Sequence, residues 1–232
     1  MTPHYLDLID IGCARGDRPL FVGVSQHVAA GELLHVAGSN GSGKTTLLRT
    51  VCGLSRPAEG EIHWRGVSIR KLGDEYRQDL AYLGHKDGIQ GELTPTENLW
   101  NLACTMEGVR PDAIAHALER LGLAAYRAFP AKILSQGQKR RLALARLLVL
   151  SKPLWILDEP FTALDVASCQ LITEILSDHL KRGGTAIISS HQAFDVPTAT
   201  LKRIDLDKAR TNNPPVGASP AARPAASRRY PA

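Results

Sequence analysis

The sequence predicts an α/β fold: a mostly parallel central sheet, a small antiparallel β subdomain and an inserted helical subdomain. Three observations carry this. Leu33-Leu34-His35-Val36-Ala37 reads as a strand, Gly38 to Gly43 as a glycine-rich loop, and Thr45 to Cys52 as a helix closed by Gly53. Leu154-Trp155-Ile156-Leu157 and Ala186-Ile187-Ile188 are short, wholly apolar runs, as parallel strands buried on both faces require. Between them, from about 94 to 150, the pattern turns helical.

Taken in order, Tyr5 to Ile11 and Phe21 to Val28 alternate as strands of the antiparallel sheet. Glu61 to Ile69 continues it, with Ile62 and Trp64 packing inward and Val67 a candidate to join them. Thr94 to Leu134 reads as helices. Pro111 and Asp112 suit a first turn, Ile114, Leu118 and Leu121 share a face, and Gly122 can end the element. Ser135 to Leu150 is a further helix, its second half apolar and therefore buried. We expect one domain over 1–207 and a disordered tail over 208–232, where Pro, Ala and Arg leave little to bury.

The net charge of +5 points away from a nucleic-acid partner once it is located. Lys208, Arg210, Arg223, Arg228 and Arg229 account for all of it, so 1–207 is formally neutral. Cys13, Cys52, Cys104 and Cys169 form no C-x-x-C pair, which argues against a zinc or redox site and fits a reducing compartment. The start MTPHYLDLID lacks a basic segment followed by an apolar one, so no secretion signal is expected. Leu142 to Leu150, interrupted by Arg146, falls far short of the ~20 apolar residues that span a bilayer. A cytoplasmic chain that reaches a membrane only through a partner is expected.

Gly38-Ser39-Asn40-Gly41-Ser42-Gly43-Lys44-Thr45 matches G-x-x-x-x-G-K-[ST]. Glycines let backbone N–H groups turn toward phosphate oxygens, and the helix that follows adds partial positive charge. Lys44 can reach the β- and γ-phosphates and the Thr45 hydroxyl can ligate Mg²⁺, with Thr46 beside it in the first turn. Asp158, at the carboxyl end of an apolar strand, is placed to hold Mg²⁺ directly or through water. Glu159 is the candidate general base. Ser135 opens a helix, so its hydroxyl and the N–H groups of Gln136, Gly137 and Gln138 can face an anion. Gly137 permits close approach.

Phosphate loop, Leu134-Ser135-Gln136-Gly137-Gln138 and Asp158-Glu159, in this order and spacing, resemble the ATP-binding subunits of ABC transporters over about 1–207. The resemblance implies a P-loop NTPase of the ABC ATPase type that hydrolyses ATP with Mg²⁺. It implies that Ala163-Leu164-Asp165 is the loop joining two protomers and that His191 is the switch histidine at the γ-phosphate. It also implies a head-to-tail dimer, each ATP lying between one copy's phosphate loop and the other's Ser135 helix. Two positions depart from the pattern. His85 stands where the family has a Gln near Mg²⁺, either acting there itself or leaving the place to Gln90. The stretch 13–17 lacks the aromatic that stacks on adenine, which makes Arg15 the candidate.

The segments SNGSGKTTLLR, YLGH and LSQGQKRRLALARLLVLSKPLWILDEPFTALD are similar to the ATP-binding subunit of the haem exporter complex of c-type cytochrome maturation. That implies a peripheral subunit on the cytoplasmic face of the bacterial inner membrane, paired two plus two with a multi-span subunit and working beside cytochrome c maturation factors. Haem export and release of a haem-carrying chaperone both remain open as its task. The rival reading is a soluble ATPase of the same fold acting in cofactor assembly. Absence of N-K-x-D argues against a G-protein, and only 90 positions between Lys44 and Leu134 leave no room for the coiled coils of DNA-repair relatives.

Overall fold

The computed structural model describes residues 5–16, 18–103, 111–191, 194–197 and 200–211. Strands β1 (Tyr5–Arg15) and β2 (Arg18–Ala29) pair antiparallel, and β3 (Glu32–Ala37) then leads into the phosphate loop and α1 (Lys44–Val51). β4 (Glu59–Trp64) and the two-residue β5 (Val67–Ser68) complete an antiparallel sheet of order β2-β1-β4-β5. Two short helices, α2 (Ile69–Leu72) and α3 (Asp74–Asp79), precede β6 (Leu80–Leu83).

The helical insertion holds α4 (Pro95–Ala103), α5 (Pro111–Arg120) and α6 (Gln136–Leu150), with 3₁₀ turns at Ala124–Tyr126 and Ala131–Ile133. β7 (Leu154–Asp158), α7 (Val166–Lys181), β8 (Thr185–Ser189), β9 (Thr200–Asp205) and α8 (Leu206–Thr211) follow. The second sheet is parallel, in the order β6-β7-β8-β3-β9.

Alternation along these parallel strands divides the interior in two. Leu83, Trp155, Leu157, Ala186 and Ile188 face the helices and pack on Leu118, Leu142, Leu147 and Leu176. Leu34, Val36, Leu154, Ile156 and Ile187 face the other way, onto Leu47 and Leu48 of α1 and Leu8, Ile62 and Trp64 of the antiparallel sheet. Every residue of β7 and β8 is buried, so Leu154–Leu157 and Ala186–Ile188 read as continuous apolar runs. The sheet therefore delivers Asp158, Ser189 and Val36 side by side at its carboxyl edge, where α/β sheets bind ligands.

Four expectations change in detail. Val67 is exposed, because β5 ends at an edge after the Arg65-Gly66 turn. Ser135 is the N-cap of α6 rather than its first residue. The helical reading of Thr94 to Leu134 holds as two helices followed by 3₁₀ turns. The boundary expected after residue 207 falls inside α8, whose buried Leu206 joins the core. Positions 212–232 of the expected tail lie outside the described residues, as does Cys104. Among the described residues, no helix is long and apolar enough to cross a membrane.

Candidate active site

The phosphate loop is shaped by close approach. Gly43 has φ 107°, and a Cβ there would sit 2.8 Å from the ring of Phe21, so the turn into α1 admits only glycine. Lys44 is buried, and its Nζ donates to Gly38 O at 2.9 Å and Ser39 O at 3.2 Å. It also donates to His191 Nε2 at 2.9 Å. Ser42 lies fully buried behind the loop with its hydroxyl unpartnered. Ser39 turns aside: its N–H and hydroxyl both bond Asp207 of α8, at 2.7 and 2.8 Å.

Asp158 and Glu159 face the loop from the end of β7. Asp158 is 1% exposed; its Oδ2 accepts from Thr45 Oγ1 at 2.8 Å and its Oδ1 from Ser189 Oγ at 2.6 Å. Two hard oxygen donors, one from each motif, thus converge as a Mg²⁺ site needs. Glu159 adopts φ 51°, a strained region for a residue with a Cβ. Its N–H is held by Ser189 O and Ser189 Oγ, both at 3.1 Å. Its Oε2 accepts from the His191 N–H at 3.3 Å. Oε1 is buried without a hydrogen-bond partner. It lies 3.2 Å from His191 Nε2, but that nitrogen already accepts from Lys44 and has one lone pair to give. A buried carboxylate oxygen lacking a donor is costly unless it has a partner to receive.

A cleft of about 380 Å³ opens over these groups. Arg15, Leu20, Asn40, Gly41, Lys44, Thr45, Thr46, His85, Asp158, Glu159 and His191 line it. His85 therefore reaches the site. Gln90 does not line the cleft; its backbone is tied to Asn98 at 2.8 and 3.0 Å, which corrects the alternative that it replaces His85. Ser135, Gly137 and Gln138 are also absent from the walls of this cleft. They form a capping box: Ser135 Oγ accepts from Gln138 N at 3.2 Å, and Gln138 Oε1 accepts from Ser135 N at 2.8 Å. The Gln138 N–H, expected to face an anion, is spent in that cap. A Cβ on Gly137 would lie 3.1 Å from Ala163 O, so glycine lets the helix start approach the 163–165 loop. Ala163 has φ 63°, and Asp165 caps α7 through Ser168 N at 2.8 Å.

Residues 21–162 match the family model described as ABC transporter. The chain belongs to the ABC transporter family. It is an ATP-binding protein and an ATPase of that type. It is 48% identical over 202 residues, covering 87% of this chain and 99% of the relative, to the cytochrome c biogenesis ATP-binding export protein CcmA of Dechloromonas aromatica (strain RCB). It is 50% identical over 199 residues, 85% of this chain and 93% of the relative, to the protein of that name from Nitrosomonas europaea. A solved ABC transporter ATP-binding protein from Pyrococcus furiosus superposes with a TM-score of 0.77 at 27% identity, covering 88% of this chain and 98% of that one.

Arg140 is a buried residue beside the site that was missed in the sequence, as were Asp207 and the cleft residues Leu20 and Thr162. Arg140 of α6 is 4% exposed and binds the backbone at Gly84, Asp158, Glu159 and Pro160. In sequence it lies within Lys139-Arg140-Arg141, which reads as a solvated run. Its only signal is its place in a helix that is otherwise buried on that side.

Proposed function

We propose that the chain is the ATP-hydrolysing, energy-coupling subunit of a membrane ABC transporter of c-type cytochrome biogenesis. The observation that carries the enzymatic part is the meeting of Lys44, Thr45, Asp158, Glu159 and His191 around one cleft. The cytochrome c part is supported by the CcmA relatives, which match this chain along nearly their whole length. Two copies act head to tail, each ATP held by one copy's Gly38–Thr46 loop and the other's Ser135 and Gly137. The dimer sits at the cytoplasmic face of the inner membrane on a multi-span partner, two plus two.

Thr45 Oγ1 and Asp158 would hold Mg²⁺, with His85 reaching it through water, since Mg²⁺ prefers oxygen to imidazole nitrogen. Bound there, the ion neutralises charge on the β- and γ-phosphates. Lys44, already aimed at the loop carbonyls, turns its ammonium to the same phosphates. Glu159 Oε1 takes a proton from the water whose oxygen forms the new bond to the γ-phosphorus. The bridging P–O bond breaks, and its electron pair leaves with ADP. His191, released by Lys44 and so able to carry its ring proton on Nε2, donates to the γ-phosphate oxygens and remains bonded to Glu159 through its backbone N–H. Arg15, on the cleft's rim, stacks on the base.

Membrane fractionation of cells that express the chain with and without a multi-span partner encoded beside cytochrome c assembly factors tests this. Recruitment to the membrane fraction only with that partner is expected. A chain wholly in the cytosol in both cases supports a soluble ATPase of cofactor assembly instead.

A further inference from the structure

The five N–H bonds of a guanidinium are seldom all used by protein acceptors in one place. In Arg140 they are. Nη1 donates to Gly84 O at 3.2 Å and Asp87 Oδ1 at 2.8 Å. Nη2 donates to Asp158 O at 3.0 Å and Glu159 O at 2.7 Å, and Nε to Pro160 O at 3.3 Å. A lysine could reach one or two of these acceptors but not both loops in one plane.

The two loops have different tasks. The 84–87 loop presents His85 to the cleft, and the 158–160 turn presents Asp158 and Glu159. Glu159 sits at a strained φ, a conformation that persists only where surrounding bonds over-determine it. Ser189 holds its N–H and Arg140 holds its C=O. Arg146, further along α6, adds a bond to Gly88 O at 2.5 Å, so the helix grips the His85 loop at two places. Meanwhile Ser135, five residues before Arg140, opens the same helix.

We propose that Arg140 is a positioning residue that couples the two ATP sites of the dimer. It fixes the Glu159 turn and the His85 loop of its own chain to the helix whose first turn serves the ATP of a second copy. This rests on the head-to-tail reading given above. A shift of α6 on engaging the second copy's phosphates is passed through one rigid guanidinium to the carbonyl of Glu159. Completion of one site thereby aligns the base of the other.

The test uses the full-length chain with Arg140→Gln, Arg140→Lys and Asp87→Asn, each alone and with Glu159→Gln. Measured are ATP turnover, binding of a fluorescent ATP analogue and ATP-dependent dimer by light scattering. Arg140→Gln is expected to lower kcat by about 10- to 100-fold, the cost of slight misplacement of a catalytic group. Analogue affinity stays unchanged, and dimer in the Glu159→Gln background is reduced. Arg140→Lys recovers part of kcat, and Asp87→Asn, which loosens only the His85 loop, gives a smaller fall. Normal kcat and normal dimer in Arg140→Gln overturn the proposal and leave the head-to-tail reading standing. A Glu159→Gln chain that stays monomeric with ATP overturns both. If Arg140→Gln does not fold or loses nucleotide binding, Arg140→Lys decides: lowered kcat at unchanged affinity, with less ATP-dependent dimer in the Glu159→Gln background, supports the coupling, and wild-type kcat and dimer overturn it.

Discussion

Replacing Glu159 by Gln separates chemistry from binding if, as proposed, the side chain is the base, because the backbone of this residue is held independently of it. Its main chain is fixed by Ser189 and Arg140, and an amide side chain disturbs neither bond. Its Oε2 accepts only a long bond from the His191 N–H, which an amide oxygen can also accept. What the substitution removes is the buried, unpartnered Oε1 as a proton acceptor. A positioned general base contributes about 10²- to 10⁴-fold, equivalent to about 3–5 kcal/mol in the barrier. No phosphate-loop contact involves the side chain, so ATP affinity should change by less than about 0.5 kcal/mol. Phosphate release under saturating ATP gives the first quantity and equilibrium binding the second. Turnover close to wild type would refute the base assignment. Lost affinity with lost turnover would show that Glu159 serves the loop's structure instead.

Lys44→Ala removes the ammonium that meets Gly38 O, Ser39 O and His191; triphosphate affinity should fall by about 2 kcal/mol or more, and an unchanged Kd for ATP would sink its phosphate role. His85→Gln places a carbonyl oxygen at the cleft where an imidazole stands, so half-maximal activity should need less Mg²⁺; identical Mg²⁺ titrations would remove His85 from the site. His179 is buried against Trp155, rings 3.8 Å apart, and burial lowers its pKa from 6.5 to about 4. Between those values the unfolded chain binds a proton that the folded chain refuses, so stability is held above pH 6.5 and lost as pH falls toward 4. Urea denaturation at pH 7 and pH 5 should differ by about 2 kcal/mol from this group, and His179→Phe should flatten that slope; equal slopes in the two proteins would contradict the assignment.

The parallel strands were legible because burial on both faces makes them apolar throughout, as in Leu154–Leu157. The chemistry of the phosphate loop was legible because backbone geometry demands glycine at Gly43 and Gly38. β9 left no such mark: as an edge strand it exposes Leu201 and carries Lys202 and Arg203, so its pattern resembles a loop. α7 carries a readable stripe of Ile172, Ile175, Leu176 and Leu180, which the motifs before it overshadow. Arg140 was hidden for a different reason. Four of its five acceptors are backbone carbonyls from two distant segments, and carbonyls have no letter in a sequence. Asp207 was hidden by distance along the chain: its carboxylate accepts from the N–H and hydroxyl of Ser39 and so joins α8 to the phosphate loop.

The proposed function has each ATP site built from two copies of the chain. Ser135 and Gly137 lie outside the cleft of their own copy, and on the head-to-tail reading proposed above they serve the phosphate loop of another. A chain with Asn40→Cys and Ser135→Cys in the Glu159→Gln background tests this by oxidation with and without ATP, each single cysteine variant serving as control for the native thiols. A covalent dimer is expected that forms only in the double variant and only with ATP. A chain that stays monomeric on oxidation in the presence of ATP would contradict it.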